Sequence, residues 1–522
     1  MSGRSEHRYA GNLWRCFLKC KKIQLVGAVI CIMFFAAPLA ALLEQAGDPL
    51  LAIPNGRRLR LLGNTLQLGI LTAAGCMVIG FFTAAAIYTG RLKNSILRWW
   101  FLLLAPVPQY IYALAWMELV RMAGQVWPEL LGMQIYGLFP CVAVEIMAYL
   151  PLCTGLALLG LERQDASLIQ AALVCRKGDC VLYRIYLPQM FPWLICGAGC
   201  VFVLSAADFS IPSLFQYNVY AMELFSDFSA YGKAVNSLWL AMPLMLLILL
   251  VVWLTQSRLK QILLPVSYRK TVPLYLSRTT VSLMRAAVFL SVLQILIPLL
   301  TLAAGIGGWE QLTASVELSL EELWVSCRIG ILAAVLAVVP ASLTAGLLCD
   351  SKSSFWRIVF LFPLAMPSAL VGVGWLTLLN GSIFHGVTST LLFPALGCAT
   401  RFLPLGMLVL MGICFGVDKK SLQAALLLQN NWWKAVAVVK IPVYAPGVWA
   451  AGFLVFLLTL GDVGVTLMTA PPGKEPFSIK IYNYLHYGAS EMVSGFCMVI
   501  IVICLAVMLL MMRIVRGRKN GA

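Results

Sequence analysis

Apolar residues in this chain do not alternate and do not keep to one helical face; they run in long stretches separated by short polar, often basic, segments. Crossing a hydrocarbon core of about 30 Å takes about 20 residues of helix. Twelve stretches approach that length: 25–43, 62–89, 98–119, 138–160, 192–211, 238–256, 284–305, 325–349, 355–379, 390–415, 444–468 and 493–512. Backbone groups in lipid must be satisfied within their own segment, so stretches this long are helices and not barrel strands. The expected fold is all-α and polytopic, with about 12 transmembrane helices.

Composition agrees with the pattern. The hydrophobic set makes up 61% of 522 residues and charged residues 11%, far from the roughly 45–50% and 25% of soluble domains. A net charge of +17 would suggest nucleic acid in a soluble chain, but here the basic residues sit between apolar stretches, which makes them a topology signal. Nucleic acid is not an expected partner; membrane lipid is. With the N-terminus inside, the outer loops hold only Arg57, Arg58, Arg60, Arg121, Lys233, Lys474 and Lys480, so both termini are expected in the cytoplasm. Acidic residues cluster on the outer side, at Glu310, Glu317, Glu321 and Glu322. The first stretch, Leu25 to Leu43, lacks a cleavage site of small residues and is expected to be a retained helix. The 16 cysteines lie mostly inside apolar stretches, where a thiol behaves as a small hydrophobe, so no disulfide framework is expected. Cys16 and Cys20, on the basic N-terminal segment, have no His or Cys partners and read as free thiols.

Self-similarity changes the picture most. Leu138-Phe139-Pro140 recurs as Leu392-Phe393-Pro394, and Leu150-Pro151 as Leu403-Pro404. Val201-Phe202-Val203-Leu204 leading to Asp208 recurs as Val455-Phe456-Leu457-Leu458 leading to Asp462. Tyr231-Gly232 matches Tyr487-Gly488, and Pro108 with Trp116 matches Pro367 with Trp375. The chain therefore divides into a first six-helix lobe (1–265), a basic linker (266–283) and a second lobe (284–522). An even helix count per lobe gives both the same orientation, a parallel repeat.

Two cytoplasmic loops, 165–188 and 418–442, also match. The first reads Asp165-Ala-Ser-Leu-Ile-Gln170-Ala171-Ala172, then Gly178, then Ile185-Tyr186-Leu187-Pro188. The second reads Asp418-Lys-Lys-Ser-Leu-Gln423-Ala424-Ala425, then Gln429, then Val439-Lys440-Ile441-Pro442. An Asp suited to N-capping followed by strong helix formers predicts a short surface helix in each. Small Ala side chains let another surface approach, and the later Pro marks the return to the membrane.

These loops are similar to the EAA loop of type I ABC importer permeases, E-A-A-x3-G-x9-I-x-L-P, and the resemblance covers nearly the whole chain. It implies a fused two-lobed permease whose loop helices dock on a separate ABC ATPase subunit, a homodimer, and which receives solute from a periplasmic binding protein. It also implies a bacterial inner membrane location. Gln170 and Gln423 replace the motif's Glu, Gln429 sits at the Gly position of the second loop, and the first loop is one residue short, with Gly178 displaced. The second copy continues Leu460-Gly461-Asp462-Val463-Gly464-Val465-Thr466, Pro471-Pro472-Gly473 and His486-Tyr487-Gly488-Ala489. That run resembles the ferric-iron permease family, with thiamine permeases close to it and polyamine and phosphonate importers more distant. The substrate so implied is ferric iron, with thiamine or another small polar solute as the alternative.

Chemistry of its own is not expected. The chain lacks a GxxxxGK[ST] loop, so ATP is expected to be used by the partner subunit, with no cofactor held here. No nucleophile–base pair or metal triad emerges, and His7, His385 and His486 are scattered. Charges in or at the edge of the membrane are functional candidates. Asp208 and Asp462 each lie 20 residues beyond a loop proline, Pro188 and Pro442, which places both about 30 Å from the cytoplasmic side, near the outer mouth. They read either as helix-end carboxylates facing water or, with Tyr231 and Tyr487, as lining of the substrate path. Glu145 and Arg401 fall within apolar helices at non-equivalent positions, and a buried ion pair between them is an open reading. A secondary transporter of two six-helix repeats is the rival class; it would need no matched loops and carries more ionisable residues in its helices.

Overall fold

The computed structural model describes residues 3–89, 107–127, 136–231, 236–263, 274–350, 354–380, 384–417, 434, 436–486 and 490–517. The described residues form helices joined by short turns, with no strand among them. In the first half these are α1 (Gly3–Glu44), α2 (Gly56–Tyr88), α3 (Gln109–Val126), α4 (Leu138–Glu162), the short α5 (Ala166–Cys175), α6 (Leu187–Ala207), α7 (Tyr220–Tyr231) and α8 (Ser237–Leu263). The second half repeats the series as α9 (Arg278–Gly305), α10 (Trp309–Asp350), the pair α11 (Ser354–Leu361) and α12 (Ser368–Asn380), α13 (Leu392–Gly416), α14 (Ile441–Leu460), α15 (Phe477–His486) and α16 (Ser490–Gly517).

Among the described residues ten helices are long and apolar enough to cross a membrane, and α11–α12 adds an eleventh if its two arms count as one span. The chain is an all-helical polytopic membrane protein. Two expected spans differ in detail. The stretch 355–379 is not straight but turns through 92° between its arms, because Pro367 has no N–H to donate and drives Met366 into an extended conformation (φ −80°, ψ 117°). The stretch 98–119 lies partly outside the described residues; its visible part, α3, starts only after Pro108. Pro108 and Pro367 therefore play one part in both lobes: each sets the start of a short helix.

The repeat is visible in packing as well as in sequence. α4 and α13 are each 25 residues long and lie 254 residues apart. In the first half α2, α4 and α6 pack on one another, and in the second half α10, α13 and α14 do the same. A Cβ on Gly69 would lie 2.8 Å from the Phe202 ring, and a Cβ on Gly330 would lie 2.8 Å from the Phe456 ring. Small residues at such crossings let helices approach closely where no hydrophobic driving force separates helix from lipid.

The first helix of each half crosses to the other half. α1 packs on α10 and α12, and α9 packs on α2 and α3. Gly27 abuts Leu343, the Cys31 thiol lies 3.7 Å from Thr344 Oγ1, Phe34 meets the Trp375 ring edge-on, and Thr400 Oγ1 donates to the Phe34 carbonyl at 3.1 Å. On the reciprocal side Thr83 and Ser291 share a buried hydroxyl contact of 3.1 Å. One core runs through both halves.

Candidate functional site

At the loop between α4 and α6, Asp165 caps α5: its carboxylate accepts from Ser167 N at 3.0 Å and Ser167 Oγ at 2.7 Å. Ile169 is fully buried and pins the helix to a second apolar cluster with Leu161, Val181, Leu182 and Tyr186. Gln170 and Ala171 are exposed, and Ala172 is half-buried against that cluster. Leu168 and Val174, which sequence reasoning did not single out, are 48% and 88% exposed on the open side of the same short helix. Two aliphatic side chains left open on a pinned helix make a surface suited to close docking.

Gly178 has a role that the spacing did not reveal. It is buried, and a Cβ there would lie 2.1 Å from the Tyr275 carbonyl oxygen, so only glycine admits the backbone that leads into α9. Next to it the Asp179 carboxylate accepts from Ser277 N at 2.9 and 3.1 Å and from Ser277 Oγ at 3.1 Å. Ser277 in turn caps α9 through Thr280 N, and Leu274 is buried in the loop's own apolar cluster. Within the expected linker, Leu274 and Ser277 are thus bound to the first loop, and α9 begins at Arg278.

A π-helical turn precedes each re-entry, Leu182–Tyr186 before α6 and Val436–Lys440 before α14, again 254 residues apart. Such turns are rare and gather at functional positions. Leu187 with Pro188 and Ile441 with Pro442 then start the membrane helices; Leu187 is half-buried, while Pro188, Ile441 and Pro442 are exposed. Gln423, Ala424, Ala425 and Gln429 lie outside the described residues, as does Tyr487; Tyr231 ends α7, and its side chain is likewise not described.

Asp208 and Asp462 sit where the repeat puts them, at the ends of α6 and α14, but they do not face water: their residual exposures are 8% and 4%. Each caps the next short helix. Asp208 accepts from Ser210 N, Ser210 Oγ and Ile211 N at 3.2, 2.7 and 3.2 Å. Asp462 accepts from Val465 N at 2.8 Å and Thr466 N at 3.3 Å. Arg401 pairs with Asp462 and not with Glu145. Glu145 instead accepts from Thr72 Oγ1 at 2.9 Å and Ser205 Oγ at 2.6 Å. The open Glu145–Arg401 pairing is therefore not made: Arg401 is taken by Asp462, and Glu145 holds hydroxyls of α2 and α6.

The two halves also meet here. A Cβ on Gly461 would lie 2.7 Å from Pro108, and one on Gly464 would strike Ser368 and the Phe209 ring. Trp116 and Trp375, equivalent in the repeat, both donate inward, to Met147 Sδ at 3.1 Å and Thr400 Oγ1 at 2.9 Å. Gly461 against Pro108 and Gly464 against Phe209 therefore bring the two halves into close contact beside Asp208 and Asp462.

What these features define is a multi-pass membrane protein with a structured loop between α4 and α6 and close contact between its halves beside Asp208 and Asp462. The chain is 24% identical over 161 residues, 29% of its length, to the spermidine/putrescine transport system permease protein PotC of Escherichia coli (strain K12). The same figures hold for PotC of Shigella flexneri. The match covers 61% of each, so the chain spans about three fifths of the length of the curated relatives it matches. No family model matches.

Proposed function

We propose that this chain is the fused membrane subunit of an ATP-driven, binding-protein-dependent importer of the type I ABC class in a bacterial inner membrane. The observation that carries the reading is the repeated entry into the membrane, a π-helical turn followed by a proline-led helix, at one interval in both halves. Similarity to a transport system's permease protein supports it. In this reading α5 and the matching segment around Ala424 and Ala425 are the docking sites of the two ATPase subunits, the loops are cytoplasmic, and the contact between the halves beside Asp208 and Asp462 faces the binding protein. The chain itself hydrolyses nothing.

Replacing Ala172 or Ala425 by Arg is the direct test. Both variants should insert at normal levels yet lose the ATPase from pull-downs and lose uptake, with the second loop the more sensitive because its spacing matches the family pattern. Transport at the native rate by both would reject the docking role. Thiol labelling of cysteines placed at Lys177, Lys434 and Lys474 should report the first two inside and the third outside.

For the solute, ferric iron remains the first reading, drawn from the resemblance of the second half; carboxylate oxygens of Asp208 and Asp462 and phenols of Tyr231 and Tyr487 are hard donors suited to it. A polyamine is the second, favoured by the relative's name, and thiamine the third. Uptake of labelled iron, putrescine and thiamine by a deletion strain separates the three: only the true cargo should fall, and it should return with the gene.

A further inference from the structure

A pocket of about 420 Å³ opens where α2 begins, lined by Arg57, Arg60, Leu61, Asn64 and Asn218. The first four share one face of α2, at helical spacing. Asn218 comes from the turn before α7, and two bonds fix that turn to α2: Asn64 Nδ2 donates to the Asn218 carbonyl at 2.9 Å, and Tyr220 N donates to Thr65 Oγ1 at 2.9 Å. The lining thus joins two guanidiniums and two amides on anchored backbone, and it contains no acid. Outside it, the Glu223 carboxylate pairs with Arg57 at 3.0 Å and lies 3.9 Å from Arg58. Arg60 is exposed and, among the described residues, has no ion pair or hydrogen bond.

The second half shows that this lining is not needed to build the fold. In the register that Gly69 and Gly330 share, Thr65 corresponds to Ser326, whose Oγ accepts from Phe477 N at 2.7 Å as Thr65 does from Tyr220 N. The ion pair between the same two elements is kept with its charges exchanged: Glu322 on α10 and Lys480 on α15, 2.6 Å apart, take the place of Arg57 and Glu223. Yet Leu318, Glu321 and Val325 stand where the first half has Arg57, Arg60 and Asn64. One arginine serves the ion pair, so the charge on Arg60 is an addition. Cations at a helix start also oppose its dipole, a cost that an anion held between them reverses.

We propose that this pocket binds the phosphate of an anionic phospholipid at the end of α2. A guanidinium presents paired N–H donors to phosphate oxygens, and basic pockets beside membrane helices take up such headgroups. Arg60 supplies the uncompensated charge, Arg57 a second guanidinium, and the amides of Asn64 and Asn218 meet the headgroup hydroxyls. A lipid is favoured over a free anion by what surrounds the arginines. α2 belongs to a membrane-crossing span, and the turn Pro49–Ala52 before it, tied to α2 by Arg58 Nη1 donating to the Leu51 carbonyl at 3.4 Å, leaves Leu50 exposed, with Ile53 exposed beside it. Apolar side chains open to the outside next to arginines suit the boundary where acyl chains and phosphates meet. The site goes beyond the importer reading, because it depends on neither cargo nor partner subunit.

The test uses the full chain purified in detergent and stripped of lipid. Native mass spectrometry follows binding of phosphatidylglycerol, of phosphatidylcholine with the same acyl chains, and of inorganic phosphate. Phosphatidylglycerol should bind about tenfold tighter than phosphatidylcholine, the worth of one hydrogen bond between charged groups, and Arg60→Gln should remove that preference. Arg60→Glu, which gives the first half the residue found at this place in the second, should make phosphatidylglycerol the weaker ligand. Arg278→Gln, an equal loss of charge at the exposed start of α9, should leave the preference intact. A wild type without preference, or an equal preference in wild type and Arg60→Gln, would overturn the proposal. So would binding of inorganic phosphate that Arg60→Gln abolishes while the two lipids bind alike, since the occupant would then be a free anion.

Discussion

The two halves are built alike and finished differently. Each has a proline-started third helix, a glycine-on-aromatic crossing (Gly69 with Phe202, Gly330 with Phe456) and an aspartate capping the turn after its central membrane helix. In the first half the aspartate rests on hydroxyl and backbone donors alone; in the second it also holds an arginine. The elements that recur are those that fix backbone geometry, and those that differ carry charge.

The sharpest way to break that comparison is at the aspartates. Asp462→Ala removes a cap and strands a mostly buried guanidinium, and should destabilise the protein by about 3–5 kcal/mol. Asp208→Ala removes only a cap and should cost about 1–2 kcal/mol. Thermal unfolding in detergent ranks the two; equal losses would mean that Arg401 finds another partner. Next come the glycine crossings. Gly69→Ala and Gly330→Ala each push a methyl to 2.8 Å from a ring, and each should lose about 1–3 kcal/mol. Unequal losses would show that one crossing is looser than its twin. Gly178→Ala belongs in the same range, with the added expectation that residues 274–277 become easier to cleave by protease, because the new methyl displaces the Tyr275 backbone. The smallest effect is expected at the exposed cap of α5, where Asp165→Ala should cost about 1 kcal/mol and be read best as faster hydrogen exchange over Ala166–Cys175.

Much of this frame was legible in the sequence, because lipid simplifies the code: long apolar runs have to be helices, and a repeated proline leaves a repeated break. The cap at Asp165 and the helix after it followed from local chemistry that tertiary contacts do not override. Partners at a distance were not legible. Nothing in the spacing tells whether Arg401 meets Glu145 or Asp462, since the answer depends on which side chains the packed helices bring within reach. Gly178 carried a signal that pointed elsewhere: read as a displaced motif glycine, it is held by the approach of Tyr275, almost a hundred residues later. The two aspartates read either as water-facing caps or as lining of a path, and both are buried caps of the helix that follows. A pattern read one helix at a time does not register burial.

The crossing of α1 onto the far half has a consequence for how the protein is made. Cys31 meets Thr344, a partner 313 residues later in the chain, and at about 5–20 residues per second of synthesis that partner emerges ~15–60 s afterwards. For that interval the face of α1 bearing Gly27, Cys31, Phe34 and Phe35 rests against lipid or an insertion factor. Its buried side is apolar with small residues among the aromatics, so the helix can wait in the bilayer without exposing a charge. A polar substitution on that face would act during the wait, before any mature contact exists, and would appear as lost yield with normal stability in the molecules that survive.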